Sequence, residues 1–97
     1  GISSAAFTFY GFLPHKKGRQ TLFTEIKESE RTSVFYESPH RIIKTLEALQ
    51  GMEKKVGVAR ELTKLFEQVI KGSPEEVLAY FIKNTDKVRG EFVVVVY

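Results

Sequence analysis

Ser33-Val34-Phe35-Tyr36-Glu37-Ser38-Pro39-His40-Arg41 passes directly from strand to helix. Thr32 to Tyr36 is rich in the β-branched and aromatic residues that strands prefer. Ser38 suits a helix N-cap, and Pro39 suits the first helical position, where its missing N–H costs nothing. Ile42, Ile43, Leu46 and Leu49 then recur at helical spacing, and Gly51 is the left-handed stop. A strand feeding a helix is half of an α/β layer. The junction also brings an acid, a hydroxyl, an imidazole and a guanidinium to the carboxyl end of a strand, the rim where ligands bind in open α/β sheets.

The same alternation continues on both sides. Ala6 to Phe12 reads as an aromatic-rich strand, and Arg19 to Glu28 as a helix with Leu22, Phe23 and Ile26 inward. After Gly51, Lys55 to Arg60 and Phe66 to Lys71 read as two strands. The segment Glu61 to Leu65 between them is too short for a crossover, so they are expected to be antiparallel. Ser73-Pro74-Glu75-Glu76 combines proline at the first helical position with a capping box, opening a helix to about Lys83. Phe92-Val93-Val94-Val95-Val96 does not alternate, which predicts a central strand covered on both faces. The expected fold is therefore α/β: a single mixed five-stranded sheet with about three helices packed on it.

Bulk properties set limits. The 97 residues make one domain, small for a complete enzyme, and the balance of 42% hydrophobic and 28% charged residues is that of an ordinary globular chain. No run of 18 apolar residues occurs, so no membrane-spanning helix and no membrane partner is expected. Residues 1 to 6 lack a basic start followed by an apolar stretch, so no secretory signal is read there. Cysteine is absent, which excludes disulfides, thiolate catalysis and Cys-ligated zinc and is compatible with a reducing, cytoplasmic location. The chain begins just before one apolar strand and ends inside another, as an excised piece of a longer protein would.

The common catalytic signatures GxGxxG, Walker loop, HExxH, GxSxG and CxxC are missing. With only two histidines, His15 and His40, no metal site is expected. What remains is polarity at element ends. Tyr36 to Arg41 is one such cluster, Ala59-Arg60-Glu61-Leu62-Thr63-Lys64 a second, and Val88-Arg89-Gly90-Glu91 a third. Each has a structural reading beside the functional one: Ser38 and Pro39 as a cap, Arg60 and Glu61 as pairing groups at the sheet edge, Glu91 as a partner for Arg60 or Arg89. The net charge of +3 favours an anionic partner only weakly. Its densest run, His15-Lys16-Lys17-Gly18-Arg19, is either a solvated turn or a loop that contacts phosphates.

Four blocks occur in order: Tyr10-Gly11-Phe12-Leu13-Pro14 with Lys16-Lys17-Gly18-Arg19, then Phe35 to Arg41, then Ala59 to Lys64 with Glu67, then Arg89-Gly90-Glu91-Phe92. Nearly the whole chain thereby resembles the carboxyl-terminal domain of the small-subunit ribosomal RNA cytidine 2′-O-methyltransferases, in the tetrapyrrole (corrin/porphyrin) methylase superfamily. The resemblance implies that residues 1–97 are one half of a two-domain enzyme, with S-adenosylmethionine held between this half and an amino-terminal cofactor domain absent here. It implies cofactor contacts from Tyr36, Glu37, Glu61, Leu62, Thr63 and Gly90, with Glu91 lining the same cleft. Glu37 and His40 are the candidates for positioning the reacting hydroxyl or accepting its proton, and Lys16, Lys17, Arg19, Arg41 and Arg60 the candidates for RNA contact. The implied partners are ribosomal RNA in the small subunit and a second copy of the full-length protein. Two alternatives stay open: the corresponding part of a tetrapyrrole methyltransferase, and a non-catalytic RNA-binding domain.

Overall fold

The computed structural model describes residues 7–62 and 65–97, with side chains described outside 61–68. Among the described residues, five strands and three helices follow in order: β1 (Phe7–Phe12), α1 (Arg19–Glu28), β2 (Thr32–Glu37), α2 (Ile42–Leu49), β3 (Val56–Leu62), β4 (Leu65–Gly72), α3 (Pro74–Lys83) and β5 (Glu91–Val96). A 3₁₀ turn, Thr85–Lys87, leads from α3 toward β5. The strands form one sheet in the order β1-β2-β5-β3-β4. β1 and β2 are parallel, as a connection through α1 requires, and every other pair is antiparallel. The expected mixed α/β sheet with β5 at its centre is what forms.

Pairing register places Ser33, Val96 and Val56 in one row, Phe35, Val94 and Val58 in the next, and Glu37, Phe92 and Arg60 in a third. All nine are buried. The helices contribute Phe23 and Ile26 from α1, Ile42, Leu46 and Leu49 from α2, and Val77, Leu78 and Phe81 from α3 to the same cluster. Phe81 meets Phe92 edge-on, with ring centroids 5.4 Å apart. The three helices therefore cover one face of the sheet.

The other face corrects an expectation. Val93 and Val95 are only half-buried, and beside them Phe9, Phe12, Tyr36 and Val69 are exposed. The valine run fails to alternate because the outward row of β5 is also valine, not because a second helical layer lies over it. β-branched residues fit a pleated, half-buried surface whichever face they occupy. Among the described residues, no helix is long and apolar enough to cross a membrane.

Helix ends follow local chemistry. Ser73 Oγ accepts from Glu76 N–H at 3.1 Å while Glu76 Oε1 accepts from Ser73 N–H at 2.9 Å, completing the capping box. Gly51, at φ +86°, turns the chain after α2 and donates its N–H to Glu75 Oε2 at 2.9 Å. That backbone donor, first among several, holds the Glu75 carboxyl below the usual carboxylate range. At α2 the expectation fails: the helix starts at Ile42, and Pro39 to Arg41 form a turn before it. Ser38 contributes its carbonyl, which accepts from the N–H groups of Arg41 and Ile42, both at 3.1 Å, while its hydroxyl caps nothing. Ser73→Ala is expected to lower the unfolding free energy by about 1 kcal/mol in urea titration.

Candidate functional site

The carboxyl ends of β1, β2 and β3 and the amino end of β5 lie along one rim, because β5 runs antiparallel to β2 and β3. The described parts of the three polar clusters read from the sequence, Tyr36 to Arg41, Ala59 to Leu62 and Val88 to Glu91, therefore meet one edge of the sheet. Alternation along β2 then parts the two neighbours at its end. Tyr36 points to the open face, where its ring lies 5.3 Å from each of Phe9 and Phe12. Glu37 points into the helical layer and is 4% exposed.

A buried carboxylate must be neutralised and hydrogen-bonded, and Glu37 is. Its Oε1 accepts from Ser38 N–H at 2.9 Å. Its Oε2 accepts a short bond from Thr45 Oγ1 and a bond from Arg19 Nη2 at 3.3 Å. The same Arg19 nitrogen reaches Thr45 Oγ1 at 2.7 Å, and Nη1 donates to the carbonyl of Pro14 at 3.1 Å. The guanidinium carbon lies 4.9 Å from the centre of the Phe23 ring. Gly18, left-handed at φ +85°, delivers Arg19 to the first position of α1. Two residues expected to face ligands are thus each other's partners, and they tie the β1–α1 loop to β2 and α2.

Beside this knot an open cleft of about 360 Å³ is lined by His15, Lys16, Arg19, His40, Arg41 and Lys44. Arg41 spans it: Nη2 lies 3.0 Å from His15 Nδ1, and Nη1 donates to Ser38 Oγ at 3.4 Å. Lys16 and His40 are exposed on its lips, and Lys17 is exposed in the same loop. Lys44 was not singled out by sequence, and His15 stood out there only as part of the basic run 15–19. Lys44 falls three residues after Arg41 and four after His40, a helical spacing that offered the clue. His15 pairs with a residue 26 positions away, and no local pattern shows that.

The remaining candidates lie apart from the cleft. Arg60 is 5% exposed on the helical side of the sheet, and its Nη1 donates to the Lys87 carbonyl at 2.6 Å. Gly90, at φ +79°, makes the turn into β5, and Glu91 pairs with Glu61 in the ladder. Glu61 and Leu62 end β3, with side chains outside the described set, and Thr63 lies outside the described residues. Among the described residues, no three His, Cys, Asp or Glu side chains gather as metal ligands would.

Fold and rim together define an α/β domain with a basic cleft at one edge of its sheet. No protein-family model matches the chain. Along its whole length, however, it is similar to the proteins called ribosomal RNA small subunit methyltransferase I. It is 44% identical over 100 residues to the one from Synechocystis, matching 99% of this chain and 35% of the relative. The Vibrio cholerae protein is 42% identical over 102 residues, covering 100% of this chain and 35% of the relative. The Bacillus subtilis protein is 40% identical over 99 residues, covering 99% of this chain and 33% of the relative. The chain thus spans about a third of the length of these curated relatives, and the family resemblance carried by its four blocks stands.

Removing one partner of the buried pair leaves the other uncompensated. Arg19→Ala is expected to cost about 3 kcal/mol of stability in urea unfolding, and Glu37→Gln, which keeps acceptor and donor groups, markedly less. A parent-like midpoint for Arg19→Ala would show that the knot holds nothing. Arg60→Ala, which leaves the Lys87 carbonyl without its donor, is expected to lower the melting temperature in a thermal scan.

Proposed function

We propose that this chain is the carboxyl-terminal domain of an S-adenosylmethionine-dependent methyltransferase that methylates a cytidine ribose 2′-hydroxyl in small-subunit ribosomal RNA. The observation that carries the reading is the whole-length similarity to proteins named as ribosomal RNA small subunit methyltransferases. Those names favour ribosomal RNA over a tetrapyrrole substrate. The basic cleft at the rim supports an RNA partner, since phosphate contacts hold and orient nucleic acid. Small ribosomal subunits place the reaction in the cytoplasm. A homodimer of the full-length protein belongs to the same reading, and the uncovered apolar sheet face is a surface that such an assembly can bury.

The rim residues suit one wall of an adenosine site. Tyr36 offers a half-exposed ring, and Gly90, without a side chain, leaves backbone open to close approach. Glu61 and Leu62 end β3 at the same edge, and the cofactor contact expected of Thr63 belongs to the same reading. When bound, the cofactor supplies an electrophilic methyl group. The work left to this chain is alignment of the hydroxyl and removal of its proton. Glu37, with both oxygens engaged, acts as a positioning residue through Arg19 and Thr45. His40, exposed at the lip of the cleft, is the group placed to hold the hydroxyl or take its proton. Lys16, Lys17 and Arg41 serve RNA contact, Arg19 supports them from beneath, and the contact role expected of Arg60 gives way to a structural one.

Calorimetry on the full-length protein tests the reading. S-adenosylmethionine is expected to bind with one site per chain, and residues 1–97 alone are expected to transfer no methyl group to small-subunit RNA. Absence of cofactor binding by the full-length protein would sink the proposal.

A further inference from the structure

The cleft between the β1–α1 loop and the β2–α2 turn carries more charge chemistry than RNA proximity alone explains. None of its six lining residues is acidic, and the charge of Arg19 is already met by Glu37. Lys16, Arg41 and Lys44 remain, three positive charges in one cleft of a chain whose net charge is +3. Like charges gathered this closely repel, and an anion between them relieves the repulsion.

The contact between Arg41 and His15 fixes protons as well as positions. A guanidinium only donates, so at 3.0 Å His15 Nδ1 is the acceptor and the ring proton sits on Nε2. Ser38 Oγ takes a second guanidinium N–H, at 3.4 Å. Of the five N–H groups an arginine carries, three remain for a ligand, in a planar fork matched to two phosphate oxygens. Two fixed partners orient that fork before any ligand arrives, which lowers the ordering cost of binding.

We propose that this cleft is a site for a single RNA backbone phosphodiester, gripped by Arg41, flanked by Lys16 and Lys44, with His15 as the residue that positions Arg41. The proposal rests on the methyltransferase reading only in taking the anion to be RNA. It adds Lys44 to the interface, gives His15 a role in orienting Arg41, and makes recognition there independent of base identity. It also bears on chemistry, because His40 lines the same cleft and is thereby brought beside the ribose joined to the held phosphate.

Fluorescence anisotropy of labelled hexacytidylate with the full-length protein, over a range of salt concentrations, is the test. Arg41→Ala is expected to weaken binding about tenfold, a loss typical of one strong charged contact. The exposed pair Lys16→Gln with Lys44→Gln is expected to flatten the salt slope by up to about 0.7, the single-strand value for the one phosphate held there. Hexauridylate is expected to bind as hexacytidylate does. An oligomer with a methylphosphonate backbone is expected to lose the difference between wild type and Arg41→Ala. His15→Ala is expected to weaken binding and His15→Asn, which keeps an acceptor near Nδ1, to restore it, with melting temperatures unchanged; a merely structural role would not give that rescue. Wild-type affinity and slope in Arg41→Ala and in the lysine pair would overturn the site. Calorimetry with S-adenosylmethionine on the same proteins separates the two readings: cofactor binding with unchanged slopes sinks the phosphate site alone, and lost cofactor binding in the wild type sinks the methyltransferase reading alone.

Discussion

The ion pair between Arg19 and Glu37, closed by Thr45, is the constraint on which the basic edge of this domain depends. Its partners come from three elements: the first residue of α1, the last of β2, and the inner face of α2. Coulomb attraction at low exposure offsets the desolvation of both groups only because the remaining lone pairs and protons are also satisfied. Thr45, the Ser38 N–H and the Pro14 carbonyl do that. The consequence is positional. Pro14 and Arg19 hold both ends of the loop carrying His15 and Lys16, and Ser38 begins the turn carrying His40 and Arg41. Fixing Arg19 to Glu37 therefore sets the two lips of the cleft against each other.

The sheet repeats this logic one row across. Glu37, Phe92 and Arg60 lie side by side on the covered face, so two opposite charges flank a buried ring. Roughly two strand spacings, about 10 Å, separate the outer members, too far for a direct pair. Each is instead satisfied locally, Glu37 by Arg19 and Arg60 by the Lys87 carbonyl. Polar groups at the end of a covered row mark where the core stops and the rim begins. Their side chains serve the fold, and the polar groups that stay exposed are those on the turns just beyond, Lys16 and His40 among them.

Much of this was legible in the chain itself. The bounds of α1 and the capping box at Ser73 follow from periodicity and turn chemistry, which are local. The failures have a common cause. Ser38-Pro39 has the composition of a cap, but the same residues also make a turn in which the carbonyl does the work. The valine run of β5 records β preference on both faces and says nothing about a second layer. Arg19 and Glu37 are 18 residues apart, so only the fold shows that they neutralise each other. Residue type announced polarity at the rim; pairing decided which of those groups remain available.

Net charge misled in the same way, by averaging. A value of +3 spread over the surface would steer an anion weakly. Exposed charges farther apart than about 8 Å at physiological ionic strength are largely screened from one another. What an approaching phosphate feels is the local set, and at this rim that set is Lys16, Arg41 and Lys44 with no acid among the lining residues. The acid that could have cancelled them, Glu37, is turned inward and spent on Arg19. One buried pair thus does two things at once. It locks the loops together, and it withdraws the Glu37 carboxylate from the surface they form.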